Sequence, residues 1–184
     1  MIAIYARRSD MHATAACTDL RKMGIPCILT GPEYGYTSVI QRVPFLFVGK
    51  GCEGITAGFS HEIPDTKFIQ NYDMLTFDYL TDRLKQIYGL DYINLTCGGI
   101  RFHTDEFYFF GNRIRLTDIE KLIVRLLAVC RGCYFTAEEI AGFCLEGNKS
   151  SSVAVHIHNI NAKNVASVTE RIIYSKRYCG YRVN

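Results

Sequence analysis

The chain has no apolar run approaching the roughly 20 residues that a membrane-spanning helix needs, so it carries no span of that kind. The apolar part of its opening, MIAIYARRSD, is too short for a secretory signal, and the cytoplasm is the expected compartment. Net charge is small, +3 over 184 residues, and no basic amphipathic helix offers a membrane-surface anchor. Metal-ligand spacing is scarce. Among eight cysteines, only Cys130-Arg-Gly-Cys133 has a suggestive interval, and no second CxxC or HxxxH accompanies it. His156 and His158 stand two apart on a helical pattern, which splays their rings. The cysteines at 17, 27, 52, 97, 130, 133, 144 and 179 read as reduced, small buried hydrophobes. No metal and no cofactor is expected. Internal repeats and low-complexity tracts are lacking too.

What is present suits one large domain or two small ones, with 48% hydrophobic and 21% charged residues. The charge is unevenly placed. Residues 1–90 carry nine Lys and Arg against nine Asp and Glu, whereas residues 91–184 carry twelve against nine. From Ser150 onward there are five basic residues (Lys163, Arg171, Lys176, Arg177, Arg182) and one acid, Glu170. A basic tip on a neutral body fits a polyanion.

Periodicity predicts a strand over Met1–Ala6, a helix from about Ser9 to Met23 stopped by Gly24, and a buried strand at Pro26–Thr30. Strand, helix and strand of this length imply a βαβ unit with a parallel sheet. Gly31–Tyr36 reads as a loop, Pro44–Gly49 as a third strand, Lys67–Gln70 as a fourth, and Asp78–Tyr88 as a closing amphipathic helix. A link near Gly89–Asp91 leads to short strands at Ile93–Leu95, Gly99–His103, Phe107–Phe110 and Arg113–Leu116. Helices follow. Thr117 with Glu120 and Thr136 with Glu139 are capping boxes, the first opening an apolar stripe of Ile119, Leu122, Ile123, Leu126, Leu127 and Cys130. The second of these helices runs to about Cys144. A third, from about Ser151 to Asn164, is expected to bury Val153, Ile157 and Ile160, ahead of a terminal hairpin in RIIYSKRYCGYRVN.

Residues 92–184 resemble the winged-helix DNA-binding domain of OmpR/PhoB-type response regulators. The resemblance rests on Leu116, Thr117 and Glu120 at an L-T-x-x-E helix start, and on Val153, Val155, His156 and Ile157 in the third helix. It extends to Arg177 and Gly180-Tyr-Arg-Val183 in the wing. It implies an α+β winged helix-turn-helix domain behind an α/β receiver-like domain with a reduced parallel sheet. Residues 1–88 resemble that receiver only in outline. Ala6, Arg7 and Arg8 stand where the family has a metal-binding acidic pair, and Gly49 stands at the expected phosphoacceptor position. Without carboxylates, neither a divalent cation nor an aspartyl phosphate has a site. The implied protein is therefore a phosphorylation-independent transcriptional regulator, not an enzyme. It would be homodimeric through its first domain and the Asp78–Tyr88 helix, with double-stranded DNA as partner and RNA polymerase as a further one.

The resemblance places the third helix in the major groove and the wing at the minor groove. Candidate DNA-contacting residues are Ser151, Ala154, His156, His158, Asn159, Asn161 and Lys163 on the helix, and Ser175, Lys176 and Arg177 on the wing. Ser151, Ala154, His158, Asn161 and Ala162 are expected to project away from the buried stripe, and asparagine pairs well with adenine. His156 reads as a core or phosphate-facing histidine. Arg131 and Lys149 are secondary backbone contacts from loops. The wing tip also admits a plain reading as a solvated hairpin. Two rival functions stay open. The cation-poor third helix suits a winged helix that binds a protein instead of DNA. The opening Tyr5-Ala-Arg-Arg-Ser9, with Asp82-Arg-Leu84, resembles serine recombinases, with Ser9 as nucleophile. Gln86 stands where that family wants a further arginine, and the segment is short for such a catalytic domain.

Overall fold

The computed structural model describes residues 1–6, 10–31, 44–48, 68–69, 72, 75–146, 149–164 and 170–183. They form two compact units, Met1–Leu90 and Asp91–Asn184.

The first unit is built on a parallel sheet of β1 (Ile2–Tyr5), β2 (Cys27–Thr30), β3 (Leu46–Val48) and β4 (Phe68–Ile69), in the order β2-β1-β3-β4. Met1, Ile2, Ala3 and Ile4 are all buried, as a central strand covered on both faces requires. Helix α1 (Met11–Lys22) starts two residues later than the periodicity suggests. Its cap is Asp10, whose carboxylate accepts from the Ala13 amide at 3.0 Å, while Ser9 lies outside the described residues. Ala13, Cys17 and Leu20 recur at helical spacing and are buried. The helix ends at Met23, and Gly24 turns the chain at a φ of 81° into β2. Arg21 then donates to the Cys27 carbonyl at 2.9 and 3.2 Å, tying helix to strand. Helix α2 (Phe77–Tyr88) is capped by Thr76, buries Leu80, Thr81 and Leu84, and stops at left-handed Gly89. The Tyr88 hydroxyl donates to the Phe45 carbonyl at 2.7 Å, which fixes the end of α2 to the entry of β3. Arg7, Arg8, Gly49, Lys50 and most of the loop expected at Gly31–Tyr36 lie outside the described residues.

The second unit opens with an antiparallel meander of β5 (Thr96–Cys97), β6 (Ile100–His103), β7 (Glu106–Phe109) and β8 (Asn112–Arg113). The strand expected at Ile93–Leu95 is a turn instead. The Asp91 carboxylate accepts from the Asn94 amide at 2.9 Å and turns the chain there, while the Ile93 and Leu95 carbonyls still accept from the Thr104 and Phe102 amides at 3.1 and 2.8 Å. Three helices follow: α3 (Asp118–Val129), α4 (Ala137–Cys144) and α5 (Ser150–Ala162). Both capping boxes form, with Glu120 and Glu139 accepting from the Thr117 and Thr136 amides at 2.7 and 2.8 Å. Helix α3 packs against α4, α5, β5 and β10 (Gly180–Arg182), and its burial is correspondingly wider than one stripe. Val124, Arg125 and Ala128 are buried along with the expected apolar residues. Ile119 departs from the expectation; it sits on the first turn, 38% exposed. Buried Arg125 places its guanidinium 4.7 Å from the Phe102 ring and 5.1 Å from the Tyr92 ring, so its charge faces aromatic surfaces.

The hairpin of β9 (Tyr174–Lys176) and β10 closes the unit as the wing of a winged helix. Phe135, between α3 and α4, exchanges two backbone hydrogen bonds with Tyr181, of 2.9 and 2.8 Å, a single rung on the edge of β10 that β9 leaves open. Gly180 is demanded there on two counts. Its φ is 105°, and a Cβ would stand 2.0 Å from the Phe135 carbonyl oxygen.

Candidate nucleic-acid interface

Helix α5 buries Val153, Ile157 and Ile160 and turns the opposite face outward. Ser151, Ala154, Val155, His158, Asn159 and Ala162 are exposed, and His156 is half-buried at the margin. Val155, 58% exposed, belongs to this outer face, an apolar patch that its motif position alone did not assign to the surface. The outer ridge of Ser151, Val155 and Asn159 repeats every four residues, and so does its neighbour of Ala154, His158 and Ala162. The first turn of α5 contains no acid, and Lys149 precedes it without a side-chain cap. The positive end of the helix is thus left unneutralised, an arrangement that favours an anion. Ser152 turns its hydroxyl back to the Lys149 carbonyl at 2.8 Å.

Two residues expected on this surface have other work. The Asn161 carboxamide donates to the Ile173 carbonyl at 2.9 Å and accepts from the Ile173 amide at 3.0 Å. It therefore does not project into a groove. It clamps the end of α5 to the residue that enters the wing. Lys163 places its ammonium 2.5 Å from the Glu120 carboxylate, and Glu120 is buried. The same oxygen of Glu120 accepts the Thr117 amide of the capping box. Burial pushes the Glu120 carboxyl up, but the hydrogen bonds from Lys163 and Thr117 outweigh it and hold the group below its ordinary value. Lys163 thus neutralises an internal acid, and the sequence pattern could not show it because the partner is 43 residues away.

On the wing, Ser175, Lys176 and Arg177 are all exposed, with Arg177, Tyr178 and Cys179 forming the tip between β9 and β10. Tyr134 organises the base of the hairpin. The Arg182 guanidinium lies 5.0 Å and the Lys176 ammonium 6.0 Å from its ring centroid. Arg177 stacks instead on Tyr178, 4.9 Å from that ring. From Arg171 to Val183 the chain has no carboxylate side chain, so exposed Lys176 and Arg177 have no acidic neighbour in the hairpin itself. The outer face of α5 carries no Lys or Arg. Positive charge lies at its N-terminal flank, in Lys149, and on the wing.

No disulfide joins the described cysteines, and no group of three or more His, Cys, Asp and Glu gathers among the described residues. Cys130 and Cys133 close the turn after α3, the Cys133 amide donating to the Cys130 carbonyl at 2.9 Å. No described helix is long and apolar enough to cross a membrane.

Neither a protein-family model nor a curated protein matches the chain. Several solved structures are similar to it. The DNA-binding domain of CpxR from E. coli is 21% identical with a TM-score of 0.41, over 49% of this chain and 94% of that one. The DNA-binding domain of the response regulator AdeR, in complex with an intercistronic region, is 21% identical with a TM-score of 0.42, over 50% and 98%. The response regulator DrrB, a Thermotoga maritima OmpR/PhoB homologue, is 15% identical with a TM-score of 0.48, over 99% and 97%. These are likenesses of architecture, at identities too low to transfer a partner or a residue's role.

Proposed function

We propose that the chain is a transcriptional regulator of the OmpR/PhoB type, binding specific sequences of double-stranded DNA in the cytoplasm without being phosphorylated. The observation that carries this reading is the pairing of an exposed helix face, Ser151 to Ala162, with a carboxylate-free wing tipped by Arg177. A helix of this width fits the major groove. Asn159 suits adenine, and Ala154 and Val155 suit thymine methyl groups. Lys149, Lys176 and Arg177 stand where phosphates and the neighbouring minor groove would run. A single domain with so few cations binds weakly. Homodimerisation through the first unit would raise the effective concentration of the second domain at paired half-sites. RNA polymerase is a further partner for such a regulator. Independence from phosphorylation rests on Arg7, Arg8 and Gly49 at the positions where the resembled receivers carry acids.

Enrichment of duplexes from a random-sequence pool on the purified full chain, followed by mobility shift at low salt, tests the reading. A shared sequence in the enriched pool is the expected result. Absence of retardation for any duplex at low salt would overturn it. That outcome would favour a winged helix that docks on protein, for which exposed Val155 and the lack of cations on the α5 face are the supporting observations.

A further inference from the structure

The tip of the wing holds a side chain that neither folding nor packing accounts for. Tyr178 has a φ of 63° and is 90% exposed. That backbone region favours glycine or asparagine, because the Cβ of other residues crowds the following carbonyl. Tight hairpin turns take Gly, Asn or Asp at such positions for this reason. A single exposed ring is ordinary on a protein surface; an exposed ring on left-handed backbone is not. The guanidinium of Arg177 lies 4.9 Å from the centroid of this largely exposed ring. One of its faces is therefore occupied by a cation and the other is open to solvent.

The surroundings choose the ligand. Lys176, Arg177 and Arg182 share the hairpin with Tyr178, and the hairpin has no carboxylate. A cationic setting around an open aromatic face fits a polyanion that also presents apolar surface, which is the description of a nucleic-acid backbone with its sugars. We propose that Tyr178 is a further DNA-contacting residue of the wing, packing its open face on the deoxyribose wall of the minor groove beside Arg177. The proposal rests on the DNA-binding reading above and adds to it a contact of different physical character. Arg177 contributes through charge, which salt screens. Tyr178 contributes through apolar and stacking contact, which salt leaves almost untouched.

The test uses the full chain and a duplex enriched on the parent protein. Tyr178→Gly relieves the backbone, so its melting temperature should equal or exceed that of the parent. Its affinity should fall by about tenfold, by the same factor at each salt concentration, leaving the salt slope unchanged. Tyr178→Phe should retain parental affinity, because the ring and not the hydroxyl makes the contact. Hydroxyl-radical footprinting should show the sugars under the wing newly exposed in the Tyr178→Gly complex. Parental affinity in Tyr178→Gly, or equal weakness in Tyr178→Phe and Tyr178→Gly, would overturn the proposal while leaving the DNA-binding reading intact. Failure of the parent to enrich or retard any duplex would overturn both.

Discussion

Asn161→Ala should destabilise the second unit instead of altering its sequence preference. The Asn161 carboxamide serves both the amide and the carbonyl of Ile173, and Ile173 is 1% exposed. Alanine removes both partners at once and provides no replacement. A buried backbone group left unsatisfied costs about 1–3 kcal/mol, so two of them, partly relieved by entering water, predict a loss of about 2–4 kcal/mol. For a unit the size of Asp91–Asn184 that corresponds to a fall in melting temperature on the order of 10–20 °C. Asn161→Asp should be nearly as harmful, since a carboxylate can accept from the Ile173 amide but repels the Ile173 carbonyl. Asn159→Ala, on the exposed face of the same helix, is the control, with a stability change within about 0.5 kcal/mol. Scanning calorimetry of the full chain reads all three. If Asn161→Ala melts within a degree or two of the parent, the clamp contributes nothing and the account of the α5–wing junction is wrong.

Arg177→Ala should weaken DNA binding by about 1–3 kcal/mol and reduce the salt slope by about one, with thermal stability unchanged, as titrations at several salt concentrations would show. Glu120 has a lowered pKa in the folded chain, so its stabilising contribution is complete above about pH 4.3, its ordinary value, and disappears as pH falls through the depressed folded value. Glu120→Gln should accordingly cost about 1–2 kcal/mol at neutral pH and flatten the acid limb of the stability profile measured by urea denaturation. Acetyl phosphate with magnesium should leave the mass and the DNA affinity of the chain unchanged, and a stable phosphate on residues 1–88 would contradict the reading of Arg7, Arg8 and Gly49. Replacing Cys130 and Cys133 together with serine should alter neither DNA binding nor metal content; stoichiometric zinc lost from that variant, by elemental analysis, would reverse the assignment of these residues to packing.

The elements that local chemistry dictates are legible along the chain. Thr117 with Glu120 and Thr136 with Glu139 announce two helix starts because every group involved lies within four residues. Gly24 and Gly89 mark two helix ends for the same reason. Legibility fails where the deciding partner is remote or local alternatives compete. Ile93–Leu95 has strand-like residues and its two outer carbonyls do pair with the neighbouring strand, but Asp91 holds the Asn94 amide between them in a turn. Asn161 falls outside the buried stripe of α5 and so resembles a surface residue, whereas its partner Ile173 lies twelve positions on, beyond any helical period. Lys163 counts as a spare cation until Glu120, buried on another helix, is seen opposite it. Among the candidate contact residues, those whose role depends only on facing outward, such as Ser151, His158 and Arg177, are placed outward by the fold. Asn161 and Lys163, near the end of α5, are the ones drawn to partners within the protein. Val155 was the reverse case, an aliphatic residue in an apolar-looking motif that the fold leaves in solvent.

The clamp between Asn161 and Ile173 and the rung between Phe135 and Tyr181 together make a caliper of the second unit. One jaw is α5 and the other is the wing; the Asn161 carboxamide ties the first to the residue that enters the second, and paired backbone bonds to Phe135 hold the second to the segment between α3 and α4. The jaws therefore keep their separation whether or not anything lies between them. A target that touches both must present its two contact points at that fixed gauge, and inserting or deleting a single base pair between them would forfeit one contact entirely instead of weakening both. Because the gauge is set during folding, little ordering remains to be done at the moment of association.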